Sequence, residues 1–177
     1  MADGSSTAGF NTVAHNYPFV TGASVTSITT IALGLKLSSS TAGTIHFGLM
    51  AADSANDYLP STPYTLLASD LSVSVPQLST AGLASLSISA AGIPNIAAYS
   101  LAANTAYNIV IYSGGFANID IVHKGDTGGL AASIVYGGGL LRPPTGAECK
   151  TGYLFGFVPT TGTWAASIYC AEFYISA

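Results

Sequence analysis

A short glycine-rich stretch is the first place in this chain where residue types and spacing could do chemistry. In residues 125–129, Gly-Asp-Thr-Gly-Gly, the hydroxyl of Thr127 could act as a nucleophile if a histidine base lay beside it. His15, His46 and His123 are the chain's only histidines, and none stands in the sequence context of such a base. Glycine and aspartate after a strand are, more simply, hairpin-loop residues. We therefore predict a turn here.

The same pentapeptide resembles the Gly-Asp-Ser-Gly-Gly loop of trypsin-like serine proteases, with Thr127 at the position of the nucleophile. Those enzymes need a His and an Asp from earlier in a double β-barrel that is larger than these 177 residues. The chain also lacks a phosphate-binding loop and a recognisable pair of catalytic carboxylates. We expect a protein that is not an enzyme.

Carboxylates in turns are the other group that could bind a ligand, because calcium prefers oxygen ligands from loops. Asp53 and Asp57 form the best local pair, but the EF-hand pattern is missing, and Asp and Asn are ordinary turn residues. The three histidines have no metal-ligand spacing. We predict structural loops, and neither a metal site nor a cofactor. The remaining carboxylates weighed for this role are Asp70, Asp120, Asp126 and Glu148.

Two cysteines, Cys149 and Cys170, are too few for a disulfide scaffold and lack metal-ligand spacing. A disulfide between them would stabilise the fold by about 3 kcal/mol in the chain-entropy model, and it would require an oxidising setting. The alternative is two separate thiols, one of them buried. Both readings stay open.

Aromatic side chains in loops could stack on sugar rings. Tyr58 and Tyr64 lie in an aromatic and proline-rich loop, and Trp164 lies near the last strand. The three residues are therefore candidate glycan contacts. The alternative is that these aromatic side chains close one end of the fold.

The scarcity of charge narrows the classes of partner. Only 7% of the residues are charged, four basic and eight acidic, against about 25% in an ordinary domain. The basic residues, Lys36, Lys124, Arg142 and Lys150, are scattered and form no basic stripe, which argues against a nucleic-acid partner and against a membrane surface. A β-rich chain with so little charge is suited to packing against other copies of itself.

Apolar residues alternate with small polar ones along most of the chain, which predicts half-buried β-strands. The stretch 107–112, Tyr-Asn-Ile-Val-Ile-Tyr, is apolar on both faces and predicts a central strand covered on both sides. Leu71, Val73 and Val75 are expected on one buried face. The residues expected in the core are Ile31, Leu33, Leu35, Ile45, Phe47, Leu49, Leu86, Ile88, Ile109, Ile111, Phe155, Phe157 and Phe173.

Short strands separated by glycine, proline and asparagine turns, with no amphipathic helix, predict the fold class. We expect an all-β protein: a single antiparallel β-sandwich of jelly-roll type in residues 16–177. Residues 1–15, mostly Gly, Ser, Thr and Ala, are expected to form an extended N-terminal arm.

Residues 27–114 resemble the jelly-roll domains of bacterial surface proteins of the choice-of-anchor type. In those domains a Leu-x-x-Asn-Thr-x-Tyr turn precedes a central strand, and the matching residues here are Leu101, Asn104, Thr105 and Tyr107. The resemblance implies a jelly roll on a bacterial cell surface. Similar sandwiches are decoration and fibre modules of bacteriophage particles. The first residues of this chain show no secretory signal pattern, which favours the particle.

These observations predict a structural protein of a bacteriophage virion, a capsid decoration, cement or tail-associated protein made in the host cytoplasm. The alternative is a carbohydrate-binding or surface-adhesion module on a bacterial cell. In the virion its partners would be other copies of itself, with a trimer as the first expectation, and other virion proteins.

Overall fold

Fifteen strands form two sheets in the part of the chain that the structure describes. The computed structural model describes residues 6–9, 13–37, 43–56, 58–75, 82–113, 119–124, 134–141, 152–155, 164–166, 170–171 and 173–177. The strands are β1 (Ser6–Gly9), β2 (Val13–Thr21), β3 (Thr30–Leu37), β4 (Gly43–Asp53), β5 (Leu59–Pro60), β6 (Leu66–Val75), β7 (Gly82–Ser89), β8 (Ala106–Ser113), β9 (Ile119–Lys124), β10 (Ile134–Gly137), β11 (Leu140–Leu141), β12 (Gly152–Phe155), β13 (Ala165–Ala166), β14 (Cys170–Ala171) and β15 (Phe173–Ser176).

The first sheet, sheet 1, is organised around β3. On one side β3 pairs with β7 along its whole length. On the other side it pairs first with β15 and then with β9. Strand β9 also pairs with β1 and β14, and β15 pairs with β10. Every pairing is antiparallel except β10 with β15, which is parallel. The chain reaches β15 only after crossing to the other sheet at β11, and such a long connection allows a parallel neighbour.

The second sheet, sheet 2, is organised around β8, which lies between β2 and β4. Strand β2 also pairs with β11 and β12, and β12 pairs with β13. Strand β4 pairs with β6 and, at its end, with the short β5. The two sheets pack against each other, so the all-β sandwich expected from the sequence is confirmed.

The core between the sheets contains the predicted core side chains that the structure describes, together with others that were not predicted, among them Tyr17. Tyr17 of β2 stacks on Phe173 of β15, with ring centroids 4.1 Å apart, and thereby joins the two sheets. Leu35, Phe155 and Phe157 lie outside the residues whose side chains the structure describes. The predicted core residues that are buried are Ile31, Leu33, Ile45, Phe47, Leu49, Leu86, Ile88, Ile109, Ile111 and Phe173.

Strand β8 is buried on both faces, as its sequence predicts. All six side chains from Tyr107 to Tyr112 are buried. Ile109 and Ile111 belong to the core between the sheets, whereas Val110 and Tyr112 belong to a second apolar cluster on the other face. Sheet 2 must therefore be covered on its outer face as well.

The prediction for Leu71 is wrong: its side chain is 62% exposed, whereas the neighbouring Asp70 is buried. The reason is a bulge. Asp70 lies opposite the inward-facing Phe47, but Val73 lies opposite the inward-facing Ile45, so β6 carries one extra residue between these two pairs. Because of the extra residue, side chains before and after the bulge no longer follow one alternation, and Leu71 faces solvent.

The N-terminal segment is part of the sheets where the structure describes it. Strand β1 pairs with β9 in sheet 1, and β2 begins at Val13. Ala14 and His15, which the sequence analysis placed in the arm, are buried. The boundary drawn after residue 15 therefore falls inside β2, whose residues are buried without interruption from Ala14 to Phe19.

A short helix, α1 (Pro94–Ala98), follows β7 after a single 3₁₀ turn. Pro94 occupies its first turn, where the missing N–H of proline costs no hydrogen bond. The helix contains one buried side chain, Ile96, which belongs to the core. It therefore covers one end of the sandwich.

Replacing Phe47 by Ala should lower the free energy of unfolding by about 3–5 kcal/mol, because its ring is fully buried in the core. Leu71→Ala is the control: an exposed side chain on the neighbouring strand should change stability by less than about 0.5 kcal/mol. Urea denaturation of both variants measures the difference. A loss below about 1 kcal/mol for Phe47→Ala would contradict the assigned face.

Replacing Tyr17 by Phe should leave the protein as stable, or more stable by about 1 kcal/mol, because the buried hydroxyl has no hydrogen-bond partner among the described residues. Burial also raises the pKa of Tyr17 far above its usual range. Above about pH 10 the unfolded chain ionises this phenol while the folded protein does not, so folding loses about 1.4 kcal/mol per pH unit.

The variant lacks that loss, so its advantage over the wild type should grow between pH 7 and alkaline pH. Urea denaturation at both pH values measures it. A variant that is clearly less stable at pH 7 would show that the hydroxyl is hydrogen-bonded.

Candidate functional site

The three candidate glycan contacts do not form an exposed aromatic platform. Trp164 is only 4% exposed and belongs to the apolar cluster on the outer face of sheet 2. Tyr64 is partly buried against the same cluster, and Tyr58 is partly buried as well. Stacking on a sugar needs an open ring face, which Trp164 does not offer. Trp164 and Tyr64 instead pack in the cluster that covers β8 on the outer face of sheet 2, whereas the alternative from the sequence was that these residues close one end of the fold. The cluster consists of Ala14, Met50, Leu59, Val110, Tyr112 and Trp164.

Two buried asparagines hold in place the loop after β4 that contains Tyr58 and Tyr64. Asn16 Nδ2 donates to Asn108 Oδ1 at 2.6 Å, and Asn108 Nδ2 donates to the backbone oxygen of Tyr58 at 2.8 Å. Both asparagines are fully buried, and Tyr58 has a positive φ of 57°. Burying an amide group without hydrogen bonds is costly, so the two hydrogen bonds of Asn108 favour one position of the loop on sheet 2.

Asp70 links the two sheets through α1. Its carboxylate accepts hydrogen bonds from the backbone N–H of Asn95 at 3.0 Å, from Asn95 Nδ2 at 2.9 Å and from the backbone N–H of Ile96 at 2.9 Å. Asp70 belongs to β6 of sheet 2, whereas α1 follows β7 of sheet 1. This role was missed at the sequence level, where Asp70 was weighed as a calcium ligand. The only sequence signal is an acidic residue inside an apolar alternation.

The other residues weighed for chemistry are not brought together where they are described. Asp53 Oδ1 accepts a hydrogen bond from the Ala55 N–H at 2.9 Å, as in an ordinary turn. Residues 125–129 with Thr127, and also Asp57 and Glu148, lie outside the described residues. No group of three or more His, Cys, Asp or Glu side chains placed to bind a metal ion occurs among the residues that the structure describes.

The histidines lie on different elements. His15 is buried in β2, and the backbone of His123 lies in β9. His46 of β4 is half-buried beside Tyr112, with ring centroids 5.1 Å apart. Burial lowers the pKa of His46 and raises the pKa of Tyr112, so both side chains favour their neutral forms.

Of the two cysteines, Cys170 alone lies among the described residues. Cys170 lies in β14, where it is opposite Lys124 of β9. Cys149 lies outside the described residues. A disulfide between Cys149 and Cys170 stays a prediction.

The Leu-x-x-Asn-Thr-x-Tyr motif forms the turn that leads into β8. Asn104 has a positive φ of 52°, and the Thr105 N–H donates to Thr21 Oγ1 at 2.9 Å. The Ala102 N–H donates to the hydroxyl oxygen of Tyr107 at 3.0 Å, and Leu101 is buried in the core. The motif thus acts in folding by attaching the turn to β2 and to the start of β8.

The edges of both sheets are nearly free of charge. Eight strands, β1, β5, β6, β7, β10, β11, β13 and β14, pair with a single neighbour among the described residues. The one charged residue in them is Asp70, which is buried and hydrogen-bonded to α1. Lys36 is in β3, an interior strand, with Leu83 opposite on one side and Asp120 on the other. Lysine at an edge normally prevents further strands from adding, and these edges lack it.

Two of the exposed apolar side chains are neighbours on the outer face of sheet 1. Val135 of β10 lies opposite Tyr174 of β15, and the two side chains are 50% and 36% exposed. Leu141 of β11, which follows β10 after a glycine turn, is 51% exposed. Exposed large apolar groups on a chain with few charges are suited to contact with another protein.

Comparison with known proteins adds no assignment. No protein-family model, curated protein or solved structure matches the chain. The resemblance to choice-of-anchor jelly rolls therefore stays a prediction. In the described residues no helix is long and apolar enough to span a membrane.

Replacing Asp70 by Ala should lower the free energy of unfolding by about 2–3 kcal/mol, because it leaves the buried N–H of Ile96 without an acceptor and detaches α1 from β6. Asp53→Ala is the matched control, since its one hydrogen bond is exposed and should contribute less than about 1 kcal/mol. Thermal or urea denaturation of both variants measures the difference. Equal effects of the two replacements would contradict the linking role of Asp70.

Proposed function

We propose that this protein is a non-catalytic structural subunit that associates with copies of itself within a larger assembly. The observation that carries the proposal is the lack of charge along the sheet edges. Long strands that pair on one side only, and that carry no lysine, arginine or proline, add further strands readily. Strand β7 is eight residues long, pairs with β3 on one side and contains no charged residue and no proline.

The apolar surface supports the same proposal. Val135, Tyr174 and Leu141 are exposed on neighbouring elements in a protein with only twelve charged residues. A monomer that exposes such groups normally keeps copies apart with net charge, and the formal net charge here is only −4. Burial of these side chains against another copy removes apolar area from water without the cost of desolvating charges.

The setting that we propose is a bacteriophage particle, in which the protein would serve as a decoration, cement or tail-associated protein. The resemblance of the turn before β8 to those of jelly-roll surface domains, and the use of similar sandwiches on phage particles, support this setting. Other copies and other virion proteins would be its partners. A bacterial cell surface is the alternative setting for the same kind of contact.

Sedimentation velocity tests the self-association. At tens of micromolar protein we expect an oligomer, and we expect the same oligomer in about 0.1 M and about 1 M NaCl, because few charges are present for salt to screen. A monomer under both conditions would contradict self-association. An oligomer that dissociates in high salt would show that charge pairs, rather than neutral surfaces, join the copies.

A further inference from the structure

We propose that β7 is the contact between copies: it pairs antiparallel with β7 of a second copy about a two-fold axis, so that sheet 1 continues from one copy into the next. This inference rests on the proposed function, because it names the partner and the surface through which self-association occurs. The partner is a second copy of this chain.

The regular pairing of β7 is the first support. Strand β7 pairs with β3 at eight consecutive positions, from Thr30 opposite Ser89 to Leu37 opposite Gly82, without a register shift. In an antiparallel strand every second residue points its N–H and C=O away from the existing neighbour. No described strand or helix pairs with β7 on that side. These backbone groups form a straight template for one more strand.

The other long edge is protected, which is the second support. Strand β6 has two register shifts against β4, between Ile45 and Phe47 and between Leu49 and Met50. Bulges of this kind twist an edge and prevent further pairing. Strand β6 is also attached to α1 by Asp70. The remaining strands that pair with one neighbour have four residues or fewer, so β7 is the longest regular edge among the described residues.

The chemistry of β7 suits pairing with itself. Its sequence, Gly-Leu-Ala-Ser-Leu-Ser-Ile-Ser, contains no charge and no proline. Two identical charged strands would repel, whereas two copies of this one do not. Leu86 and Ile88 are buried on the core side, and Ser87 and Ser89 are exposed on the outer side. In such a pair, apolar side chains of the two copies would therefore meet on the core side, and serines would meet on the outer side.

The alternation restricts the register. Residues directly opposite each other in a sheet point to the same face, so a core-side residue of one copy must lie opposite a core-side residue of the other. The register centred on Leu86 meets this condition: Leu86 lies opposite Leu86, Ala84 opposite Ile88 and Ser85 opposite Ser87.

The symmetry of this contact has a consequence for the size of the assembly. A two-fold contact uses the same surface on both copies, so it joins copies in pairs. The basic unit is then a dimer, and a larger closed assembly contains an even number of copies. The trimer expected from the sequence is compatible with this contact only as a pair of trimers.

Paired substitutions on the outer row of β7 test the contact and its register together. Ser85→Lys with Ser87→Lys places lysine opposite lysine twice and should raise the dissociation constant at least about tenfold. Ser85→Glu with Ser87→Lys places glutamate opposite lysine in the register centred on Leu86, and it should associate as the wild type does. Ser54→Lys, at an exposed turn of the other sheet, is the control and should change nothing. Sedimentation velocity is the measurement.

Each result decides between the proposals. If the double-lysine variant associates as the wild type does, pairing through β7 is wrong while self-association stands. If the Glu-Lys variant is as weak as the double-lysine variant, or if Ser54→Lys is equally weakened, the proposed pairing is wrong as well. A wild-type monomer contradicts both this inference and the self-association on which it rests.

Hydrogen exchange on the wild-type protein gives an answer that does not depend on how the variants fold. If β7 pairs with a second copy, its outward-pointing amides exchange slowly at a protein concentration where the oligomer forms, and rapidly after dilution to the monomer. Amides of β7 whose exchange does not depend on protein concentration would overturn the proposal.

Discussion

The organisation of this protein depends on one constraint: strand β8 is apolar on both faces and must be covered on both. Sheet 1 covers the inner face, where Ile109 and Ile111 are buried in the core. On the outer face, Val110 and Tyr112 are covered by the loop after β4 and by Trp164. Leu59 and Tyr64 of that loop thus serve as structural cover. The buried amide contacts of Asn108 then select one arrangement of the cover, since an apolar cluster alone would tolerate several.

A second feature connects the sheets at one end. The carboxylate of Asp70 accepts three hydrogen bonds from Asn95 and Ile96 at the start of a five-residue helix. So short a helix is not stable by itself, and its position comes from this carboxylate and from the buried Ile96. The same attachment shields part of β6. The two long edges of the sandwich are therefore unequal, one bulged and attached and the other straight.

Much of the fold could be predicted from the sequence because burial follows a period of two in a strand. The pattern identified β3, β4, β7 and β8, and it placed Phe47 and Ile109 on the core face. It failed where one residue is inserted: Leu71 is exposed because the bulge in β6 shifts the alternation, and a bulge has no reliable sequence signal. The parallel pairing of β10 with β15 was also missed, because it joins segments distant in the chain.

The candidate site was harder to predict, since aromatic residues look alike whether they bind a ligand or cover a sheet. The prediction that Trp164 contacts a glycan rests on its residue type alone. Only its neighbours in space show that its side chain is buried in the apolar cluster.

The position of β15 has a consequence for how the protein is made. This strand, residues 173–176, lies inside sheet 1 between β3 and β10. During synthesis β3 can pair with β7 once residue 89 has been made, but the gap beside β3 that β15 fills stays open until residue 176 has left the ribosome. Sheet 1 is therefore completed only after residue 176 has been translated, and the part of the β3 edge that pairs with β15 lacks that partner until then.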